Sequence, residues 1–188
     1  MTVRLITNKT EGMPRWMGWV GAGWGVLGVV TILVSAVLRL APIGFEPLAG
    51  EITVGLLVGY AVSVIFFAYT EGYRAFHLHF SPRVAARAHH LVEAPTPLRL
   101  VAAPLFCMGY FGATRRRMIS SWAVTLGVVG IIVAVKFVPQ PWRGAIDLGV
   151  CIALLWGAAV IPYYFLRGVV TREFPVPADV PSGSLPST

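Results

Sequence analysis

Four uncharged apolar runs constrain this chain more than any other feature. They are Trp16–Leu38, between Arg15 and Arg39; Ile52–Thr70, between Glu51 and Glu71; Met118–Val135, between Arg117 and Lys136; and Leu148–Leu166, between Asp147 and Arg167. Each is close to the ~20 residues a helix needs to cross a ~30 Å hydrocarbon core. In lipid every backbone polar group must find its partner within the segment, so such runs read as transmembrane helices. The expectation is an all-α integral membrane bundle of four transmembrane helices, arranged as two helical hairpins. Composition closes off the soluble alternatives: 56% of residues are hydrophobic and 12% charged, where a soluble domain carries about 25% charge.

The first run has a competing reading as a signal peptide, because Arg4, Lys9 and Arg15 precede it and Val34-Ser35-Ala36 resembles a cleavage site. It is longer than the 7–15 residues of a usual signal h-region, and is read as a retained helix. The chain then divides into an N-terminal segment (1–15), a first hairpin (16–70), a basic loop (71–117), a second hairpin (118–166) and a Pro/Ser-rich tail (167–188), expected to be disordered.

Thirteen of the fifteen basic residues are Arg, against eight acidic ones, for a net charge of +7. They lie between the spans rather than along one folded face, which argues for membrane topology over nucleic-acid binding. Counting Lys and Arg on alternate sides gives twelve against three, with seven in the 71–117 loop. The positive-inside rule therefore places both termini and that loop in the cytoplasm.

Small residues recur at helical spacing, which lets backbones approach in lipid. Gly21 and Gly25 form one stripe, Gly55 and Gly59 a second, and Ala153 and Gly157 a third. These are the expected packing contacts of a compact bundle. Glu51–Gly72 also aligns without gaps over Asp147–Gly168, a pattern shared equally by parallel repeats and by unrelated apolar helices.

The 71–117 loop is where function is expected. Residues 71–80 extend the second helix, and Ser81-Pro82 reads as the start of a new one. That helix would carry Arg83, Arg87 and His90 on one face and Val84, Ala88 and Leu91 on the other, an amphipathic interfacial helix suited to anionic headgroups. Pro95-Thr96-Pro97 breaks it, with Thr96 as a second cap. The following stretch to Ala113 is too short to span and reads as interfacial or re-entrant. A fifth span would carry the Arg115-Arg116-Arg117 cluster to the opposite side.

The candidate lipid- or partner-binding residues are Arg74, Arg83, Arg87, Arg115, Arg116 and Arg117. His77, His79, His89 and His90 match no zinc spacing and are read as interfacial side chains. No metal, cofactor or catalytic residue is expected: the spans hold no histidine for haem, and no hydrolase, P-loop or dinucleotide motif is present. Cys107 and Cys151 form no ligand spacing and no expected disulfide.

The strings EGYRAF…FSPRVAAR (Glu71–Arg87), GYFGATRRR (Gly109–Arg117) and PWRGAID (Pro141–Asp147) resemble a group of uncharacterised small bacterial inner-membrane proteins. The resemblance implies a bacterial inner-membrane setting and brings no activity or catalytic residue. The expected role is a non-enzymatic accessory or scaffold protein, whose basic loop binds anionic lipid or a membrane partner; a homodimer is a further option. The alternative is a small transporter or channel built from two parallel hairpins, with a path lined by Tyr60 and Ser63.

Overall fold

The computed structural model of the chain describes residues 13–181. Arg4 and Lys9 of the topology count, and the tail beyond Pro181, lie outside the described residues. The chain is helical, with helices α1 (Arg15–Phe45), α2 (Val54–Phe67), α3 (Ser81–Glu93), α4 (Pro97–Val101), α5 (Ala103–Met108), α6 (Arg115–Val135) and α7 (Trp142–Thr171). No strand occurs among the described residues. Four helices are long and apolar enough to cross a membrane: α1, the helix beginning with α2, α6 and α7. The all-helical four-span class is therefore the observed one.

α1 is the hub. It runs antiparallel to α7, with Gly44 against Leu148 at one end and the Cys151 thiol 3.9 Å from the Val37 carbonyl further along. Its opposite end carries the lobe formed by α3, α4 and α5. A methyl group on Gly18 would come within 2.7 Å of the Leu91 carbonyl, so the two backbones meet directly there. Val26, Val29 and Leu33 share one core with Val84, Ala88, Leu91, Phe106 and Ile161.

α2 lies parallel to α7. Gly59 meets Trp142, Gly149 meets Ser63 and Phe67, and further on Gly157 meets Phe76. Thr53 caps α2 by accepting the Leu56 N–H at 3.2 Å. Tyr60 and Ser63 donate to the carbonyls of Gly44 and Ala145, at 2.8 and 2.7 Å. Both hydroxyls are thus spent on interhelical backbone contacts.

Several expectations need correction. Ser81-Pro82 does not open a separate helix. α2 continues through a π-helical run, Ala68–Phe80, directly into α3, and the Ser81 N–H reaches back five residues to the Phe76 carbonyl. Proline in a helix loses one backbone bond and collides with the carbonyl four residues back; the wider π turn leading into Pro82 accommodates it. Nor does α3 leave an open basic face for headgroups. Both of its faces are covered, with Val84, Ala85, Ala88 and Leu91 fully buried and Arg87 only 1% exposed. Thr96 does cap α4, accepting the Arg99 N–H, and α4 and α5, five and six residues long, do not cross the bundle.

The small-residue stripes sort unequally. Gly21 meets Leu100, Gly25 meets Cys107 and Ala103, and Ala153 is 1% exposed against Gly72. Gly55 meets nothing within 4 Å, so it is not a packing residue. The two hairpins are not equivalent, because α6 stands aside from the bundle with Ser121 as its only buried residue.

The tail departs most from expectation. α7 ends in a left-handed residue, Arg172, which turns the chain back. Phe174 then packs on Gly168 and His89, and Val180 reaches the core. The described part of the tail is a strap laid over the lobe, held by contacts that a Pro-rich composition does not announce.

Candidate functional site

Five of the six arginines named from sequence (Arg83, Arg87, Arg115, Arg116 and Arg117) lie where α3, the α5–α6 turn, the start of α6 and the tail strap meet. Arg87 sits at the bottom of this junction. Its Nε donates to the Phe106 carbonyl at 2.6 Å, Nη1 to Ala178 at 2.8 Å and Nη2 to Phe111 at 3.0 Å. Its guanidinium lies 4.1 Å from the centre of the Phe106 ring. A buried cation is tolerated when its donors are filled and an aromatic face lies against it. α3 follows the apolar part of the second span, and burial there brings Arg87 down to about 10, which leaves it charged at neutral pH. Arg87 is therefore a structural clamp, and its expected headgroup role is overturned by burial.

The α5–α6 turn is shaped by Gly109. Its φ of +85° places it in the left-handed region and lets it close α5, donating to the Leu105 and Phe106 carbonyls. The Arg117 Nε packs against the space where a side chain on Gly109 would stand, 3.3 Å from that Cβ position. Both the backbone conformation and the crowding favour glycine there.

Beyond this turn, Arg115, Arg116 and Arg117 fill the first turn of α6. The Thr114 side chain makes no capping bond, and no acidic residue stands in that turn. A helix N-terminus carries about half a positive charge and prefers an anion; here it carries three cations instead. Arg115 and Arg116 are exposed, while the Arg117 Nε is buried without a hydrogen-bond partner. Arg83, half-buried on α3, points its Nε at Asp179 of the strap, 4.0 Å away. Arg74, in the π-helical run, is exposed and apart from the group. Arg83 and Arg117 with Asp179 thus form the surface of the junction, Arg87 its floor and Arg115–Arg116 its rim.

The histidines scatter. His77 packs on Tyr73 and Tyr164, His79 donates to the Arg74 carbonyl at 2.6 Å, and His89 lies between Trp19 and Phe174. His90 is buried on Phe106 beside Arg99. Burial first, and the Arg99 charge second, hold His90 below its ordinary value, so it is neutral at pH 7. Among the described residues no three His, Cys, Asp or Glu side chains converge as a metal site would require. Cys107 is a buried free thiol, pushed up to about 12 by its burial.

Two shallow clefts lie on the surface of the described residues. One of about 180 Å³ lies between the end of α7 and the strap, lined by Tyr164, Arg167 and Phe174. The other, about 320 Å³ and nearly all apolar, lies between Trp16, Trp24 and Leu100. Neither reaches Tyr60 or Ser63. Sequence reasoning missed Asp179 and the strap; the one available signal was an isolated carboxylate among prolines.

Comparison with protein-family models, curated proteins and solved structures finds no match to this chain. The resemblance drawn from its sequence strings rests on those strings alone, and the functional reading rests on the geometry.

Proposed function

We propose that this is a non-enzymatic multi-pass protein of the bacterial inner membrane, with both termini in the cytoplasm, whose arginine junction holds anionic lipid headgroups. The observation carrying this reading is the first turn of α6. Three arginines stack on an uncapped helix N-terminus, where one would expect an acidic cap. That turn opens a span, so it sits at headgroup depth, where lipid phosphates supply the missing negative charge. Arg74, exposed where the second span leaves the apolar region, faces the same layer. The twelve-to-three distribution of basic residues supports the same orientation.

The test is lipid retention by the purified full chain, read by native mass spectrometry from nanodiscs of mixed phosphatidylcholine and phosphatidylglycerol. Enrichment of the anionic lipid is expected. Each basic residue near the surface is worth about 1 kcal/mol, so replacing Arg115 and Arg116 with Gln should lower enrichment on the order of tenfold or more. Equal retention of both lipids by the wild type overturns the reading. For orientation, Gln140→Cys in the turn before α7 should react with a membrane-impermeant thiol reagent in intact spheroplasts, and protection there contradicts it.

A further inference from the structure

The strap brings one carboxylate to the arginine junction, and its placement is specific. Arg172 reverses the chain after α7, and Asp179 itself adopts a left-handed backbone with φ of 51°. Non-glycine residues rarely take that conformation, and Asp is among those that tolerate it best. The residue is fixed from both sides. The Asp179 carbonyl accepts the Thr114 N–H at 2.8 Å, immediately before α6, and the preceding Ala178 carbonyl accepts from Arg87 at 2.8 Å. This backbone anchoring aims the side chain at Arg83 and into the field of Arg117, which feels the like charge of Arg83 and the opposite charge of Asp179.

The carboxylate itself is loosely held. Its nearest cation is the Arg83 Nε at 4.0 Å, beyond hydrogen-bond length, and its side chain is 36% exposed. The buried Arg117 Nε meanwhile has no hydrogen-bond partner. The site thus contains more donors and more positive charge than one carboxylate satisfies. A phosphate monoester offers three acceptor oxygens and between one and two negative charges, and pairs with arginine forks more strongly than a lone carboxylate at this distance.

We propose that Asp179 is an intramolecular stand-in for a phosphate monoester, and that the tail strap masks the Arg83–Arg117 site until such a phosphate displaces the carboxylate. The proposal rests on the headgroup reading above and adds to it the chemistry of the ligand and a means of regulation. Binding and unmasking are reciprocal: a phosphate that enters the site releases the strap, and a released strap raises the apparent affinity for phosphate. A chain with a free strap would be the binding-competent form.

The experiment uses the full chain in phosphatidylcholine nanodiscs, with three additions in parallel: dioleoyl phosphatidic acid, phosphatidylglycerol at matched charge, and inorganic phosphate in the buffer. Hydrogen exchange at the Thr114 amide reports strap release, and native mass spectrometry reports bound lipid. Phosphatidic acid is expected to speed Thr114 exchange. Removing the competing charge with Asp179→Asn should tighten phosphatidic acid binding about fivefold, the equivalent of about 1 kcal/mol per charge, while Asp179→Glu stays near wild type. Inorganic phosphate acting as well as phosphatidic acid assigns the source to a soluble phosphate and keeps the site. Equal release by phosphatidylglycerol overturns the monoester assignment. If Arg83→Gln lowers phosphatidic acid binding but Asp179→Asn leaves it unchanged, the masking fails and the headgroup reading survives. If neither Arg83→Gln nor Arg117→Gln lowers binding, the phosphate site between them is overturned, while the headgroup reading fails only if the Arg115 and Arg116 replacements also leave binding unchanged. Arg83 is partly exposed and carries no backbone clamp, so its variant remains informative even where Arg117→Gln does not fold.

Discussion

α6 and α7 have nearly the same hydropathy and similar reach across a membrane, yet half of the apolar stretch of α7 is buried while α6 buries only Ser121. In water such a pair would both seek the core. In lipid apolarity gives a helix no reason to leave the bilayer, and association depends on close packing and hydrogen bonds. α7 supplies both. Gly144, Gly149 and Gly157 each receive a neighbouring side chain, and Ala145 accepts a hydrogen bond from Ser63. α6 has glycines too, but Gly127 and Gly130 meet nothing within 4 Å. It is held near its start, by Ser121 to the Met108 carbonyl at 3.0 Å and by Tyr110 against Thr125 and Trp122. A helix needs small residues on its own surface and matching knobs opposite, and α6 has only the first.

The comparison can be broken most forcefully by bulk. Gly157→Leu drives a side chain into Phe76, and overpacking of this kind should cost about 3 kcal/mol, seen as loss of the folded monomer in detergent on heating. The matching Gly130→Leu on α6 should stay within about 0.5 kcal/mol of wild type. Similar losses in both variants would show that α6 is packed after all. Next in size, Arg87→Met leaves the Phe106, Phe111 and Ala178 carbonyls without their donor. Hydrogen bonds to charged groups contribute about 1.5–3 kcal/mol each and do not add fully, so a loss of about 3 kcal/mol in denaturant titration is expected, together with faster exchange across the strap.

Gly109→Ala sharpens the account at the one place where α6 is tied down. A left-handed alanine costs about 1–2 kcal/mol, and the shift of Arg117 should loosen the α5–α6 turn, measured by protease sensitivity between Met108 and Arg115. A smaller effect comes from His90. Its folded value lies below the ordinary 6.5 because of burial and Arg99, so the unfolded chain takes up the proton first as pH falls. The stability it protects is present above about pH 6.5 and declines as the pH drops through and below that value. Wild type should therefore lose more thermal stability than His90→Gln between pH 7.5 and 5, and equal losses would contradict the burial. Smallest of all, Cys107 at about 12 should resist alkylation at pH 8 in the folded protein and react on unfolding.

Much of the fold was legible because hydrocarbon thickness and backbone pairing act on local runs of residues. The four spans, the break at Pro95–Pro97 and the Thr96 cap follow from such local rules. What was illegible depends on partners distant in the chain. The helical wheel rightly grouped Arg83, Arg87 and His90, but no local pattern says that α5, the Phe111 loop and the strap cover that face. The Pro-rich tail looked disordered because Pro175, Pro177 and Pro181 have no N–H to donate. Such a segment still offers carbonyls, and the donor that takes one comes from Arg87, ninety-one positions earlier. Ser81-Pro82 carried the usual signs of a helix start, and only the π-helical register before it explains why the helix continues.

The most direct measurement is a spin-label scan along α6 from Arg115 to Val135 in nanodiscs, comparing collision with oxygen and with a water-soluble nickel chelate. The account predicts headgroup depth at 115–117 and oxygen access on every face from 126 to 133, with no helical periodicity over that stretch. Headgroup depth is what brings the arginines to lipid phosphate, and even access is what separates α6 from α7. A 3.6-residue periodicity of protection from 126 to 133, or full water exposure at 115–117, would contradict it.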